Sequence, residues 1–170
     1  MFVRGSPCDH GLAGVPSVKL SKKAPAMKIE APITVTVEVA GSPETAWLAF
    51  TTPSAITAWN FASPDWCCPA ASNDLKPGGK FSYRMEAKDG SMGFDFEGVF
   101  LEVIPNQRLK SSLGPDREVL VEFNKRGTGT CVSHSFTPDT GFPIDQQRAG
   151  WQAILDNYRL YLASSAQRDA

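Results

Sequence analysis

One two-residue turn flanked by alternating side chains constrains the fold of this chain more than any other feature. Asp89-Gly90 is a dipeptide preferred in β-hairpins whose two central residues both take positive φ. Counting outward from this turn places Arg84 opposite Asp95 on one face of a strand pair. The other face then carries Met85 with Phe94, Tyr83 with Phe96, and Phe81 with Gly98. Because both faces are chemically consistent, the segment predicts an antiparallel sheet.

Alternating apolar and polar residues predict further strands on both sides of this hairpin. A half-buried strand begins at Ile33, where β-branched residues recur with period 2. Later strands are predicted at 109–113, 119–123 and 130–136, and a meander connects them most simply. The apolar residues shift phase by one after Gly98. A β-bulge at Gly98 would explain the shift and would curl the sheet.

Two short helices are predicted directly after the first strand. Ser42 suits an N-cap and Pro43 the first helical position, which gives a helix to about Thr51. Pro53 should end this helix, and Ser54 can cap a second one. The following stretch, rich in Pro, Ser and Asn, is interpreted as a loop that continues to the next strand.

A long amphipathic helix is predicted at the C-terminal end, with its polar end near Ser164. Its apolar positions recur at the spacing of one helical face: Trp151, Ile154, Leu155, Tyr158 and Leu162. Together these elements predict an α+β domain. In this fold a curled antiparallel sheet wraps around the long C-terminal helix, and two short helices follow strand 1.

Composition excludes several classes of protein. The 170 residues suit one domain, and 42% hydrophobic residues are enough for a core. No run approaches the ~20 apolar residues of a membrane-spanning helix, and no secretory signal is evident. With a net charge of -1 and scattered basic residues, nucleic-acid binding is not expected. We therefore expect a cytoplasmic protein.

The first 27 residues differ in kind from the rest. They combine Gly, Pro, Ser and Lys without apolar periodicity, so they cannot bury enough surface to offset their ordering entropy. We interpret residues 1–27 as a disordered leader or a cloning remnant, with Met27 as a possible native start. The folded domain is predicted to span residues 28–170.

The cysteines and histidines do not form a recognisable metal or disulfide pattern. None of the four cysteines forms a C-x-x-C pair, and two of them, Cys67 and Cys68, are adjacent. Neighbouring residues on an extended backbone point in different directions, which is poor geometry for chelation. With only two histidines in the chain, we expect reduced thiols and no metal site.

His134 is the residue that most suggests chemistry. It shares a strand face with Val132 and Phe136, so it should point inward with them. Ser133 and Ser135 project from the opposite face, which excludes a Ser-His couple within this strand. Three roles stay open for His134: a structural histidine, a hydrogen-bonding partner of a ligand, or an acid or base.

The aromatic residues either fill the core or line a pocket between the helix and the sheet. A long helix across a curled sheet leaves room at one end, and Trp59 and Trp66 are placed to close that mouth. The candidate ligand-binding residues are Trp59, Phe61, Trp66, Tyr83, Phe94, Phe96, His134, Phe136, Trp151 and Tyr158.

Ordered landmarks along the chain carry a resemblance to a known family. They are Ser42-Pro43-Glu44 with Trp47, Phe50 and Trp59, the run 74–81, Asp89-Gly90, Gly98, Pro105 with Leu109, Gly129-Thr130, and Gly150-Trp151 opening the last helix. Over about residues 30–163 the chain resembles the activator of heat shock protein 90 ATPase homologue family, within the START-like (SRPBCC) superfamily. The resemblance implies a helix-grip fold, whose cavity holds an apolar ligand in many superfamily members.

The family has no shared catalytic motif, so function must be inferred from the site. We expect a non-enzymatic START-like protein that binds a small apolar molecule between the sheet and the C-terminal helix. It should need no cofactor and form a monomer or weak dimer. One alternative is an enzyme of cyclase, lyase or hydrolase type with His134 as acid or base. Another is a chaperone-accessory interaction module, although residues 1–26 are too short for the additional domain of eukaryotic co-chaperones.

Overall fold

The computed structural model describes residues 31–168. The predicted leader, residues 1–27, lies outside them. The elements in chain order are β1 (Ile33–Ala40), α1 (Pro43–Thr51), α2 (Pro53–Trp59), β2 (Trp66–Asn73), β3 (Lys80–Ala87), β4 (Gly93–Ile104), β5 (Arg108–Gly114), β6 (Arg117–Arg126), β7 (Gly129–Phe136) and α3 (Ile144–Arg168). No helix in this part of the chain has the length and apolar character needed to cross a membrane.

The strands form one curled antiparallel sheet in the order β1-β7-β6-β5-β4-β3-β2. The predicted meander is confirmed from β3 to β7, while β1 returns to pair with the last strand. The helix α3 packs against β1 on the inner face of the sheet, and α1 and α2 pack nearby. The predicted α+β helix-grip arrangement is therefore confirmed.

The hairpin between β3 and β4 has the predicted register, but its turn has a different conformation. Arg84 pairs with Asp95, and the apolar pairs on the other face also match. Of the two predicted turn residues, only Gly90 has positive φ, at 76°. The Asp89 carboxylate accepts the backbone N–H of Ser91 at 2.8 Å. This bond anchors the aspartate locally, so one glycine in the left-handed region is enough to close the turn.

The stretch interpreted as a loop contains a strand, β2, and that interpretation was wrong. β2 pairs with β3 at the edge of the sheet, with a register shift between Cys67 and Ala70. Pro69 lies inside the shift. Proline lacks the N–H that a central strand needs but is tolerated at edges and bulges. The strand therefore lacks the alternation that would predict it from sequence.

The predicted β-bulge is displaced from Gly98. Gly98 pairs with Phe81 without a shift, and the irregularity lies between Phe100 and Glu102, where β4 pairs with β5. Phe100 is 2% exposed and continues the buried face, whereas Leu101 is 44% exposed. Leu101 is thus the additional residue that changes the phase.

The helix boundaries differ from the predictions at the start of α2 and at both ends of α3. Ser42 caps α1 as predicted and accepts the N–H of Thr45 at 3.2 Å. The helix α2 begins at Pro53 after an N-cap at Thr52, so Ser54 is not its cap. Proline at a first helical position needs no hydrogen bond from its nitrogen, which allows it to start this helix as well as end the previous one.

The helix α3 begins six residues before Gly150 rather than at Gly150-Trp151, and it extends beyond Ser164 to Arg168. Its 25 residues correspond to about 37 Å. The additional N-terminal turn is anchored by Gln147, whose side chain donates to the carbonyl oxygens of Asp139 and Phe142, both at 2.8 Å.

Candidate functional site

An apolar cavity lies between the inner face of the sheet and α3. We call its deeper part the inner chamber. Its lining includes the aromatic side chains of Phe50, Trp59, Phe81, Tyr83, Phe96, Phe100 and Trp151. About 60 Å³ is open there to the centre of a water molecule. Since one water needs about 10–15 Å³ by this measure, the chamber has room for a few waters or one small group.

A wider space, the outer chamber, adjoins the inner one. About 310 Å³ is open to the centre of a water molecule, and the walls are less enclosed. Residues that line both chambers are Asn60, Phe96, Trp151 and Ile154. These four side chains therefore lie between the two chambers.

Five of the residues predicted to bind a ligand line the inner chamber: Trp59, Tyr83, Phe96, His134 and Trp151. Phe94 lines the outer chamber, together with Phe96 and Trp151. The other candidates, Phe61, Trp66, Phe136 and Tyr158, line neither chamber. Whether any of these residues binds a ligand stays a prediction.

The two tryptophans predicted to close the mouth have different surroundings. Trp59 is buried in the wall of the inner chamber, where its indole N–H donates to the carbonyl oxygen of Ala49 at 2.9 Å. Trp66 lies on the edge strand β2, with its ring centroid 6.1 Å from that of Phe94. Neither tryptophan lines both chambers, whereas Phe96 and Trp151 do.

His134 points into the inner chamber, as its place on β7 predicts. The ring is 4% exposed and stacks on Trp151, with centroids 4.6 Å apart. Its Nδ1 is buried and has no hydrogen-bond partner within residues 31–168. Burial lowers the pKa of His134 to about 4, so the ring is neutral at pH 7. A neutral imidazole has one N–H donor and one acceptor nitrogen to offer.

The surroundings of His134 contain little that would support acid–base catalysis. The side chains that line the inner chamber include no carboxylate, lysine or arginine. Ser133 and Ser135 face away from His134, and the hydroxyl of Ser135 lies 2.8 Å from that of Thr34 on β1. The chamber therefore offers the imidazole no charged side chain as a partner in proton transfer, and its other polar side chains are Asn60, Tyr83 and Ser111.

Tyr158, one of the candidate ligand-binding residues, has a structural partner for its hydroxyl. It donates to the carbonyl oxygen of Ala46 at 2.6 Å and joins α3 to α1. The side chain is fully buried, and burial raises the pKa of Tyr158 well above its usual value. Burial also raises the pKa of Tyr83 to about 12, and this side chain does line the inner chamber.

Sequence reasoning missed six polar residues of the cavity, of which Gln146 and Gln147 lie at the start of α3 and line the outer chamber. Asn60, at the C-cap of α2, lines both chambers, and Ser111 lines the inner one. Arg117 and Asp139 line the outer chamber, where their side chains form an ion pair at 3.5 Å. Ser111 and Arg117 lie two residues from the apolar positions 109 and 119 on their strands, and this spacing was the available signal.

The thiols and carboxylates do not gather around the cavity. Within residues 31–168, no three His, Cys, Asp or Glu side chains come together as a metal site requires. The Cys67 thiol donates to the carbonyl oxygen of Glu86, while that of Cys68 donates to Ala70. Burial raises the pKa of Cys68, which lowers its reactivity as a nucleophile.

Comparison with known proteins identifies the family. The family described as activator of Hsp90 ATPase homolog 1-like protein matches residues 40–163. No curated protein matches the chain. An AHSA1-like protein from Aeromonas hydrophila, solved by NMR, is 39% identical, with a TM-score of 0.72 over 79% of this chain and 94% of that one. A protein from Cytophaga hutchinsonii is 41% identical, with a TM-score of 0.69 over 80% and 94%.

More distant structures share the fold alone. The crystal structure of a protein from Nitrosomonas europaea is 22% identical and has a TM-score of 0.70, covering 81% of this chain and 97% of that one. The match over residues 40–163 includes most of the elements described above, from the end of β1 into α3. The family resemblance seen in the sequence is thereby confirmed, and the chain belongs to the family of activator of Hsp90 ATPase homolog 1-like proteins.

Proposed function

We propose that this protein binds a small, largely apolar molecule in the cavity between the sheet and α3. One observation carries the proposal: the buried Nδ1 of His134 has no partner within the described residues, in a chamber walled mainly by aromatic rings. A buried polar atom without a hydrogen bond costs about 1–3 kcal/mol. A ligand that offers one polar group at this point would remove that cost, while its apolar body is desolvated against the rings.

Binding is favoured over catalysis because the inner chamber offers a neutral imidazole and no carboxylate, lysine or arginine to act with it. The enzyme reading, with His134 as acid or base, stays an alternative for which the ligand would have to bring the second group itself. The family description also keeps a chaperone-accessory role as an alternative. A cytoplasmic location and a monomeric or weakly dimeric state are further parts of the proposal.

Native mass spectrometry of the protein purified from its own host tests the proposal directly. We expect a co-purifying small molecule near stoichiometric amount, which denaturing release and small-molecule analysis would identify. A protein that emerges empty, and that then fails to bind a panel of apolar compounds in solution, would contradict ligand binding.

A pair of variants separates the three functions once a compound is known. His134→Ala should abolish an enzyme, weaken a binder and leave an interaction module unaffected. Ser133→Ala is the matched control, because Ser133 lies on the same strand and faces away from the cavity. Circular dichroism and thermal unfolding of both variants must first show that they fold.

A further inference from the structure

The outer chamber is lined by a positively charged side chain, that of Arg117, which lies on the inward face of β6. Burial alternates along this strand, with Val119, Val121 and Phe123 buried. Because side chains on a strand repeat with period 2, Arg117 shares their face. A charged side chain therefore follows directly on the apolar ones that line the cavity, and Arg117 lines the outer chamber.

The Arg117 guanidinium has unused hydrogen-bonding capacity. Its Nε is buried and makes no hydrogen bond within the described part of the chain. Its ion pair there joins Nη1 to Oδ2 of Asp139 at 3.5 Å, longer than the ~2.7–2.9 Å of a charge-assisted hydrogen bond. The planar fork of an arginine matches the two oxygens of a carboxylate. Arg117 could therefore accommodate an additional anion.

Asp139 limits the charge of that anion because it is held in place independently of Arg117. Its Oδ1 accepts the N–H of Gly141 at 2.8 Å. The Gln147 side chain accepts the backbone N–H of Asp139 at 2.7 Å and donates to its carbonyl oxygen at 2.8 Å. An anion on Arg117 is thus close to a fixed negative charge. Coulomb repulsion then favours a singly charged carboxylate over a phosphate dianion.

The spacing of the strands sets the length of the ligand. His134 pairs with Val121, and Arg117 lies four residues before Val121 on β6. At about 3.4 Å per residue, the two positions are separated by roughly 14 Å along the sheet. The rings of Phe96 and Trp151, which border both chambers, provide apolar surface for the body of the ligand.

We propose that the ligand is an elongated aromatic carboxylic acid, with its carboxylate on Arg117 and its ring system against Trp151 and Phe96. The far end of the ring system points toward His134. This inference rests on the proposed function, since it assigns a chemical class to the molecule in the same cavity. It goes further because it assigns to the outer chamber the selection of a negatively charged ligand over a neutral one.

Two matched probes test this assignment: 2-naphthoate, and 2-naphthamide as its neutral counterpart of the same shape. Isothermal titration calorimetry at neutral pH should show that the wild-type protein prefers the acid by about tenfold or more. Arg117→Gln should weaken binding of the acid about tenfold and leave the amide within about twofold. Asp139→Asn should strengthen binding of the acid, because it removes the competing charge and keeps the oxygen that accepts the Gly141 N–H.

Arg126→Gln is the control, because Arg126 lies exposed at the other end of β6 and should affect neither probe. Arg117→Lys keeps the charge without the fork and should give an intermediate affinity if Arg117→Gln does not fold. An unchanged preference for the acid in Arg117→Gln or in Arg117→Lys would overturn the inference, while binding of the amide would still support the proposed function. If neither probe binds the wild-type protein, the aromatic-acid assignment is wrong, and the mass-spectrometric result decides the proposed function separately.

Discussion

His134 is a neutral polar residue among aromatic rings, and its burial couples folding to pH. Burial lowers its pKa from 6.5 to about 4 in the folded protein. Below pH 6.5 the unfolded chain therefore takes up a proton that the folded chain excludes until about pH 4. The imidazole thus contributes a loss of stability as the pH falls through this window, and none above it.

Replacing His134 with phenylalanine should remove this dependence on pH. We expect the wild-type free energy of unfolding to lose up to about 3 kcal/mol from this group between pH 6.5 and pH 4. His134→Phe should also be more stable at neutral pH by about 1 kcal/mol, because it removes an unpaired buried atom. Urea unfolding at several pH values measures both effects. Equal pH slopes for His134→Phe and the Ser133→Ala control would contradict this account.

The hydroxyl of Tyr158 stabilises the fold through its hydrogen bond to the carbonyl oxygen of Ala46. Tyr158→Phe removes a buried 2.6 Å hydrogen bond and should lower the free energy of unfolding by about 1–2 kcal/mol. Tyr161→Phe, on the same helix but only partly buried, should change it by less than about 0.5 kcal/mol. Chemical denaturation of both variants makes the comparison. A similar small effect for the two would show that this bond does not stabilise the fold.

At the scale of elements, a strand with regular alternation of apolar and polar residues can be predicted from the sequence, whereas a strand whose alternation is interrupted cannot. The register of β3 with β4 was predictable because the residue pairs on the two faces of the hairpin require the same alignment of the strands. The strand β2 was not, because Pro69 and a register shift interrupt its alternation at a sheet edge. In the site, the inward orientation of His134 was predictable because alternate side chains of β7 face the core. Asp139 lies in a loop that only tertiary contacts with α3 fix, so no local pattern indicated it.

Replacing glycine with alanine should change the free energy of unfolding in opposite directions at Gly98 on β4 and Gly150 on α3. At Gly98 a Cβ would lie 2.5 Å from Phe81 Cζ and 2.5 Å from the carbonyl oxygen of Ser112. We therefore expect Gly98→Ala to lower the free energy of unfolding by about 2 kcal/mol. At Gly150, inside α3, a Cβ meets nothing within 4 Å, so Gly150→Ala should raise it by about 0.5–1 kcal/mol. Thermal unfolding would detect both signs, and a stable Gly98→Ala protein would mean that the Phe81 ring and the Ser112 carbonyl can both move aside.

At the scale of the whole molecule, the first strand closes the fold by pairing with the last. β1 alternates buried and exposed residues along its length, packs under α3 and pairs with β7 throughout. Its buried side chains are Ile33, Val35, Val37 and Val39. The described domain is therefore joined across its two ends rather than built from separable halves.

A chain that begins at Gly41 should consequently fail to fold, although it retains six of the seven strands. Without β1, an inner face of α3 and an edge of β7 would be exposed to solvent. Far-UV circular dichroism and urea unfolding should show loss of the cooperative transition, while a chain of residues 31–168 should keep it. A cooperative transition in the shorter chain would show that β1 is dispensable.

The pairing of β1 with β7 also has a consequence for how the protein is made. Thr34 and Ser135, whose hydroxyls meet across this pair, are separated by 101 positions in the chain. At about 5–20 residues per second, a ribosome needs roughly 5–20 s to synthesise that interval. During this time the nascent chain carries a strand of β-branched residues with nothing to pair with. We expect that newly made copies depend on chaperones that shield this strand until β7 has been synthesised.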